Sequence, residues 1–126
     1  MDIRLKESIK ELPIEDFIVQ LKQEEILAAA EKAGYQFGAK LSKKVLVERL
    51  AQVYRFFPQQ VRKCLSEQAL SLLSRMAQNG CEASADEEGA QELASMGIAM
   101  ILEDRSGQGL PGLAVTSRDL MEKLKG

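Results

Sequence analysis

Apolar residues recur every three or four positions through the first two thirds of the chain, which is the spacing of α-helices that bury one face. Glycine, proline and helix-capping residues interrupt this pattern at short intervals, so it predicts several short helices. After residue 97 the pattern changes, because two β-prone runs at residues 98–102 and 113–115 flank a stretch rich in glycine. The sequence therefore predicts a mainly α-helical fold, a short helical bundle with one β-hairpin near the carboxyl terminus.

Capping residues set the ends of the predicted helices. Serine at a helix start accepts a hydrogen bond from a free backbone N–H, and glycine at a helix end adopts the left-handed conformation. Ser84 and Glu87 together spell a capping box, which predicts that a helix begins there. The predicted helices cover residues 2 to about 11, a short segment after Pro13, residues 23–34, 42–57, a short segment after Pro58, and residues 66–79, 84–97 and 117–124. In the helix that Ser42 begins, the residues predicted to face the core are Leu46, Leu50, Val53 and Phe57.

The composition excludes several kinds of site. The 126 residues include no histidine, which removes histidine-dependent nucleophile pairs, imidazole acid–base catalysis and histidine metal sites. Cys64 and Cys81 are too far apart for a CxxC pair and are expected to be reduced thiols in a cytoplasm. No apolar run is long enough to cross a bilayer, and the charged first residues do not spell a secretory signal. We therefore expect a cytoplasmic protein without a membrane partner.

The division of the chain is predicted to fall between Phe57 and Ser66. A helical unit over residues 1–57 then packs against a winged-helix-like unit over residues 58–126, which contains the hairpin, and the two together make either two units or one compact domain. The resemblance of the second unit to a winged helix rests on the order of its elements alone. It is expected to serve as a protein-contact surface or as a support for the first unit.

Charge is distributed unevenly along the chain. Residues 80–104 contain seven acids and no base, whereas residues 39–63 contain seven bases and one acid, a local net charge of +6. The bases of this segment are Lys40, Lys43, Lys44, Arg49, Arg55, Arg62 and Lys63. A polyanion such as DNA or RNA is attracted to a surface of this kind, although basic residues on the outer face of a helix are also ordinary solvated surface.

Two further patterns are similar to known kinds of ligand site. Residues 107–112 spell G-x-G-x-x-G, but an extended run follows instead of a helix, so the string is expected to form a hairpin tip and not a dinucleotide site. Asp86, Glu87, Glu88 and Glu92 are expected to complement the positive end of a capped helix and not to hold a cation. No catalytic residue, metal, cofactor or small-molecule substrate is predicted.

The segment from Gln23 to Tyr54 carries the most specific pattern. A helix ending at Gly34, a seven-residue extended connector and a second helix capped by Ser42 together resemble the helix-extended-helix motif of SAP domains and of the amino-terminal domain of the transcription terminator Rho. The Rho-type spacing matches at Gly34, Leu41, Ser42, Lys43, Leu46 and Val47, and the connector is about two residues longer than in SAP domains. The resemblance covers about a quarter of the chain.

The resemblance implies binding of DNA or RNA through the connector and the start of the second helix. The residues expected to contact backbone phosphates are Lys40, Lys43, Lys44, Arg49 and Arg55. Tyr35 and Phe37 either stack on bases or fix the two helices together. The sequence thus predicts a non-enzymatic nucleic-acid-binding accessory module of the bacterial-regulator type. The alternative is a protein-interaction or assembly module whose basic and acidic halves pair between copies or with a partner. A third, weaker hypothesis is an enzyme that uses Cys64, a lysine or carboxylates.

Overall fold

The structure is a computed structural model that describes residues 3–38, 40–103 and 112–124. These residues form eight α-helices and three short β-strands, which confirms the mainly α-helical fold with a β-hairpin. The helices are α1 (Ile3–Lys10), α2 (Ile14–Ile18), α3 (Gln23–Lys32), α4 (Lys43–Phe56), α5 (Pro58–Cys64), α6 (Glu67–Gln78), α7 (Ala90–Ser95) and α8 (Arg118–Leu124). The strands are β1 (Glu82–Ser84), β2 (Met100–Leu102) and β3 (Leu113–Val115).

Three of the predicted serine caps are present. The backbone N–H of Val45 donates to Ser42 Oγ over 3.3 Å at the start of α4. The corresponding bond to Ser66 Oγ at α6 measures 3.1 Å, and the bond to Ser117 Oγ at α8 measures 3.0 Å. At the end of α3, Gly34 has φ of +93°, the left-handed conformation predicted for it. Local chemistry therefore fixes most of the helix ends.

The three strands form one antiparallel sheet in the order β1-β3-β2. Ala114 in the central strand pairs with Ile101 of β2, which makes the predicted hairpin, and with Ala83 of β1 on its other side. Strand β1 was not predicted. The tip of the hairpin, residues 104–111, and with it most of the glycine string, lies outside the described residues.

The predicted helix start at Ser84 is wrong. Ser84 ends β1, and α7 begins only at Ala90, after Gly89. Instead of accepting a backbone N–H, the Ser84 hydroxyl donates to the Asp86 carboxylate over 2.5 Å. Pairing with β3 satisfies the backbone here in another way, so tertiary context overrides the local capping signal. The acids at positions 86–88 therefore lie in a turn and not in the first turn of a helix.

The main hydrophobic core joins residues from α2 to α8. Tyr54 of α4 is fully buried at its centre, and its hydroxyl donates to the carbonyl oxygen of Met96 over 2.5 Å. Burial raises the pKa of this phenol far above its ordinary value, so the hydroxyl stays a donor. Core residues come from both sides of positions 57–66, and α4 packs against α2, α3, α5 and α8. The division into two units stays a prediction.

Phe57 departs from its predicted place in the core. It is 53 % exposed, and its neighbour Phe56 is 70 % exposed. The backbone of Phe57 has φ of −132° and ψ of 50°, so it no longer follows the helical period of α4. The residue before a proline avoids the α-helical region, and Pro58 follows directly. Extrapolating the buried stripe of α4 to Phe57 was therefore wrong.

A second, smaller core holds α1 against the sheet. Ile9 contacts Phe17 and Val115 there. Beside it, the ammonium of Lys10 is nearly fully buried and donates to Glu82 over 2.7 Å and to Glu7 over 3.1 Å. Desolvation lowers the pKa of Lys10, but the two carboxylates outweigh it and the net shift is upward. The amino-terminal helix is therefore tied to β1 by a charged side chain as well as by apolar contacts.

Glu92 of α7 fixes the start of α6. Its carboxylate accepts from the Ser66 hydroxyl over 2.6 Å and from the Ser66 backbone N–H over 2.8 Å, and it receives Lys32 of α3 at 3.3 Å. Desolvation raises the pKa of Glu92, but these hydrogen bonds outweigh it and the pKa lies below the ordinary 4.5. One carboxylate thereby connects three helices.

Replacing Glu92 with glutamine should therefore destabilise the protein by about 1–2 kcal/mol near neutral pH, because a charged acceptor is lost. A carboxylate whose pKa is depressed on folding stabilises the protein above its unfolded pKa of about 4.5 and loses that contribution as the pH falls through the folded value. Urea unfolding of the wild type and the variant, at several values between about pH 3 and about pH 7, measures the difference in their free energies of unfolding. We expect that difference to become smaller in acid, because Glu92 becomes protonated there while the other carboxylates are common to both proteins. A difference in free energy that does not change with pH would contradict the charged hydrogen bonds of Glu92.

Candidate nucleic-acid interface

Helices α3 and α4 run in the same direction. At their starts, the Gln23 side-chain amide of α3 donates to the carbonyl oxygen of Leu41, which lies just before α4, over 2.9 Å. At their ends, the ring of Tyr35, which follows α3, lies 6.2 Å from the ring of Phe57, which follows α4. The connector, non-helical at residues 35–38, therefore returns from the end of α3 to its start.

Three of the predicted phosphate ligands lie together at the start of α4. Lys40, Lys43 and Lys44 are exposed and surround the Ser42 cap. The first turn of α4 contains no acid, and its free backbone N–H groups give this end a partial positive charge. The backbone amides and the ammonium groups thus favour the same kind of ligand, an anion.

The start of α3 lies beside these lysines and contributes acids. Glu24 and Glu25 are in its first turn, and the Glu25 carboxylate accepts from the Lys22 backbone N–H over 2.7 Å. Two acids and Lys22 sum to −1, so the two helix starts together, with Lys40, Lys43 and Lys44 at +3, keep a net charge of +2. The end of the motif at which both helices begin therefore remains cationic.

Arg49 lies apart from the three lysines. It is exposed, but it comes five positions after Lys44, which places the two side chains about 140° apart around the axis of α4. Glu48 lies one turn after Lys44 on the same side of the helix. The basic run therefore does not form one continuous row along α4: it forms a lysine cluster at the start of the helix and one arginine on a separate edge.

Arg55 is engaged by another side chain. Its guanidinium donates two hydrogen bonds to the carboxylate of Glu15 in α2, each of 2.6 Å. The pair lowers the pKa of Glu15 and raises the pKa of Arg55. Both side chains are roughly one third exposed, at 28 % for Arg55 and 34 % for Glu15. The geometry makes Arg55 a clamp between α2 and α4, with its bidentate face already occupied.

We therefore expect Arg55→Gln to weaken folding and not phosphate binding. Loss of a partly exposed bidentate pair should lower the free energy of unfolding by about 1 kcal/mol. The salt dependence of nucleic-acid binding should keep its wild-type slope, because a guanidinium held by Glu15 releases no counterion from a phosphate. Denaturant unfolding and a salt titration of the same variant check both halves. A slope that falls by about one contact assigns Arg55 to the phosphate surface instead.

Of the last two bases of the run, Arg62 is held by another part of the chain and Lys63 is exposed. Arg62 of α5 donates to the carbonyl oxygen of Leu124, which ends α8, and so satisfies a free carbonyl at that helix terminus. Lys63 is exposed. Among the described residues, no carboxylate forms an ion pair with the lysine cluster or with Arg49, whereas Lys10, Lys32, Arg55, Arg75 and Arg118 each form at least one.

The acidic residues of the later half are dispersed. Glu87 pairs with Arg75 at 2.9 Å, Glu92 binds Ser66 and Lys32, and Glu88 is exposed. In the part of the chain that the structure describes, no three acidic or cysteine side chains converge to hold a metal ion. The acids of this half therefore act mainly one at a time, in contacts between neighbouring elements.

Sequence patterns missed the exposed aromatic residues that end α4. Phe56 and Phe57 were assigned to the helix and, for Phe57, to its buried face. The proline after them is the signal that could have found them, since a helix usually ends at the residue preceding proline. Of the two connector aromatics, Tyr35 and Phe37 are both partly buried and pack against the core.

Comparison with protein-family models, with curated proteins and with solved structures finds no match to this chain. Within residues 3–38, 40–103 and 112–124, no helix combines the length and the apolar character needed to cross a membrane. The site is therefore interpreted from its own geometry.

Proposed function

We propose that this chain is a non-enzymatic, cytoplasmic nucleic-acid-binding module that acts as an accessory or regulatory protein. The observation that carries the proposal is the exposed cluster of Lys40, Lys43 and Lys44 at the start of α4. Among the described residues, no carboxylate forms an ion pair with any of these three lysines. The succession of α3, a connector that is non-helical at residues 35–38, and an α4 capped by Ser42 supports it, because the resemblance to the Rho and SAP modules rests on that succession.

The proposed chemistry is the neutralisation of backbone phosphates. Ammonium groups act as point charges that approach phosphate oxygens from many directions, and the free N–H groups at the start of α4 add fixed donors. Arg49 extends the contact along a second edge of α4, and Arg55 positions α4 against α2. Phosphate contacts fix where a protein sits on a nucleic acid but do not read its sequence, so binding should depend little on base order.

A binding titration tests the proposal directly. Fluorescence anisotropy of labelled single- and double-stranded oligonucleotides of mixed sequence, at a low and a high salt concentration, should show binding that weakens steeply with salt. A neutral oligonucleotide analogue of the same length is the matched control and should not bind. Absence of binding at low salt to both the single and the double strand would remove the proposal.

The second candidate is an assembly module, and exposed charge on the acidic half favours it. Asp86, Glu88 and Glu103 are exposed on this half, so a second copy could be held by contact with the lysine cluster. Sedimentation at low and high salt separates the two candidates. A dimer that dissociates in salt, together with no oligonucleotide binding, supports assembly; a monomer that binds oligonucleotides supports the nucleic-acid module.

A further inference from the structure

Two exposed phenylalanines lie where α4 ends, and the half-buried ring of Tyr35 contacts one of them. Phe56 is 70 % exposed and Phe57 is 53 % exposed. Tyr35 lies against Phe57, with ring centroids 6.2 Å apart and planes inclined at 43°. These three rings are termed the aromatic patch. Exposing two adjacent phenylalanines costs hydration free energy, so a site of contact with another molecule is the natural role for them.

Exposed cations precede and follow the two phenylalanines of the aromatic patch along the chain. Arg49 precedes Phe56 by seven residues, so it lies on the same face of α4, about 10 Å away along the axis. Both lie on a different side of α4 from Arg55, which is bound to α2, because they are about 100–120° around the axis from it. After the patch, exposed Lys63 lies on α5, the helix that begins directly after Phe57.

The charge around the aromatic patch indicates which kind of ligand it binds. From residue 33 to residue 63 the only acid is Glu48, and it lies about 100° around α4 from Arg49. Rings that follow and precede exposed cations along the chain complement a ligand that presents flat faces and negative charge together, which describes nucleobases joined by phosphates. In a duplex those faces are covered by base stacking, whereas in a single strand they are free to stack on an aromatic side chain.

We infer that the aromatic patch stacks on unpaired bases of a single-stranded nucleic acid, whose phosphates follow Arg49 toward the lysine cluster. The inference rests on the proposed function and adds a substrate class to it. Stacking accepts every base, so it adds affinity for single strands without sequence preference. Binding should therefore be tighter to a flexible single strand than to a duplex of equal charge.

The experiment compares oligothymidylate with an abasic oligomer of the same length, which has the phosphates but no bases. The wild-type protein should bind oligothymidylate about 5- to 100-fold more tightly than the abasic oligomer. Phe56→Ser should lose at least about 5-fold on oligothymidylate and leave binding to the abasic oligomer unchanged. Phe56→Tyr keeps a ring and should bind like the wild type.

Val19→Ala is the matched control, because Val19 of the α2 end is an exposed apolar side chain, 42 % exposed, outside the patch. It should bind both oligomers like the wild type. Thermal unfolding checks that each variant folds, and Phe56 is exposed enough for its replacement to leave the core intact.

The outcomes separate the inference from the proposed function. Equal wild-type affinity for the two oligomers overturns stacking and leaves phosphate binding in place, whereas binding to neither removes the proposed function as well. If Phe56→Ser changes self-association in sedimentation but not oligothymidylate binding, the patch is a protein contact and the inference is wrong.

Discussion

Replacing Gly89 with alanine should lower the free energy of unfolding by roughly 2–5 kcal/mol. Gly89 has φ of +93°, where a side chain is strained, and it precedes α7. A Cβ at this position would lie 2.8 Å from the Ala69 Cα atom and 2.8 Å from the Gln68 carbonyl oxygen, closer than real Cβ contacts. Both are backbone atoms of α6 and cannot rotate away. Urea unfolding followed by far-ultraviolet circular dichroism measures the loss.

Gly34→Ala provides the matched control. Gly34 has the same φ of +93°, but a Cβ built on it meets nothing within 4 Å. Only the left-handed backbone should then be costly, about 1–2 kcal/mol. The difference between the two variants isolates the close packing of α7 on α6. Equal losses at the two glycines would show that this packing is looser than the structure has it.

Replacing Lys40, Lys43 and Lys44 together with glutamine should flatten the slope of log affinity against log salt by about 2–3. Each lysine that neutralises a phosphate releases roughly 0.7 counterions from a single strand and 0.9 from a duplex. Because the lines for wild type and variant converge near about 1 M salt, a slope difference of 2 corresponds to a roughly 100-fold loss of affinity at about 0.1 M. Anisotropy titrations at several salt concentrations measure both the slope and the affinity.

A single-site pair makes this test specific. Lys43→Gln should flatten the slope by about 0.7–0.9, and Lys123→Gln, which removes the same charge from the exposed surface of α8, should leave it unchanged. Since all these lysines are exposed, the variants should keep wild-type stability within about 0.5 kcal/mol. If Lys123→Gln has the same effect as Lys43→Gln, net charge and not the lysine cluster determines binding.

Most helix ends could be predicted because their determinants are local. The Ser42, Ser66 and Ser117 caps and the left-handed Gly34 each act within a few residues of the helix they end. Strand β1 could not be predicted, since its partner β3 lies about 30 residues away in sequence and only the folded chain brings them together. The same pairing cancels the capping box at Ser84.

The sequence predicted which basic residues lie in the candidate site but not which of them are bound by other parts of the chain. Counting charges found the basic segment, and Ser42 located the start of α4 within it. Charge counting could not show that Arg55 is bound by Glu15, forty positions earlier, or that Arg62 donates to Leu124. It also grouped Arg49 with the three lysines as a phosphate ligand, whereas the geometry of α4 places it on a separate edge. Tertiary partners decide which of the bases are available.

Amide chemical-shift mapping by nuclear magnetic resonance tests most directly whether the start of α4 holds a nucleic acid. On titrating an unlabelled oligonucleotide into the isotope-labelled protein at low salt, the backbone N–H signals of residues 40–45 should shift most and saturate together. Added salt should return them to their free positions, because the contact is electrostatic. Unchanged signals at residues 40–45 while amides of residues 82–92 respond would contradict the assignment of the interface to the lysine cluster.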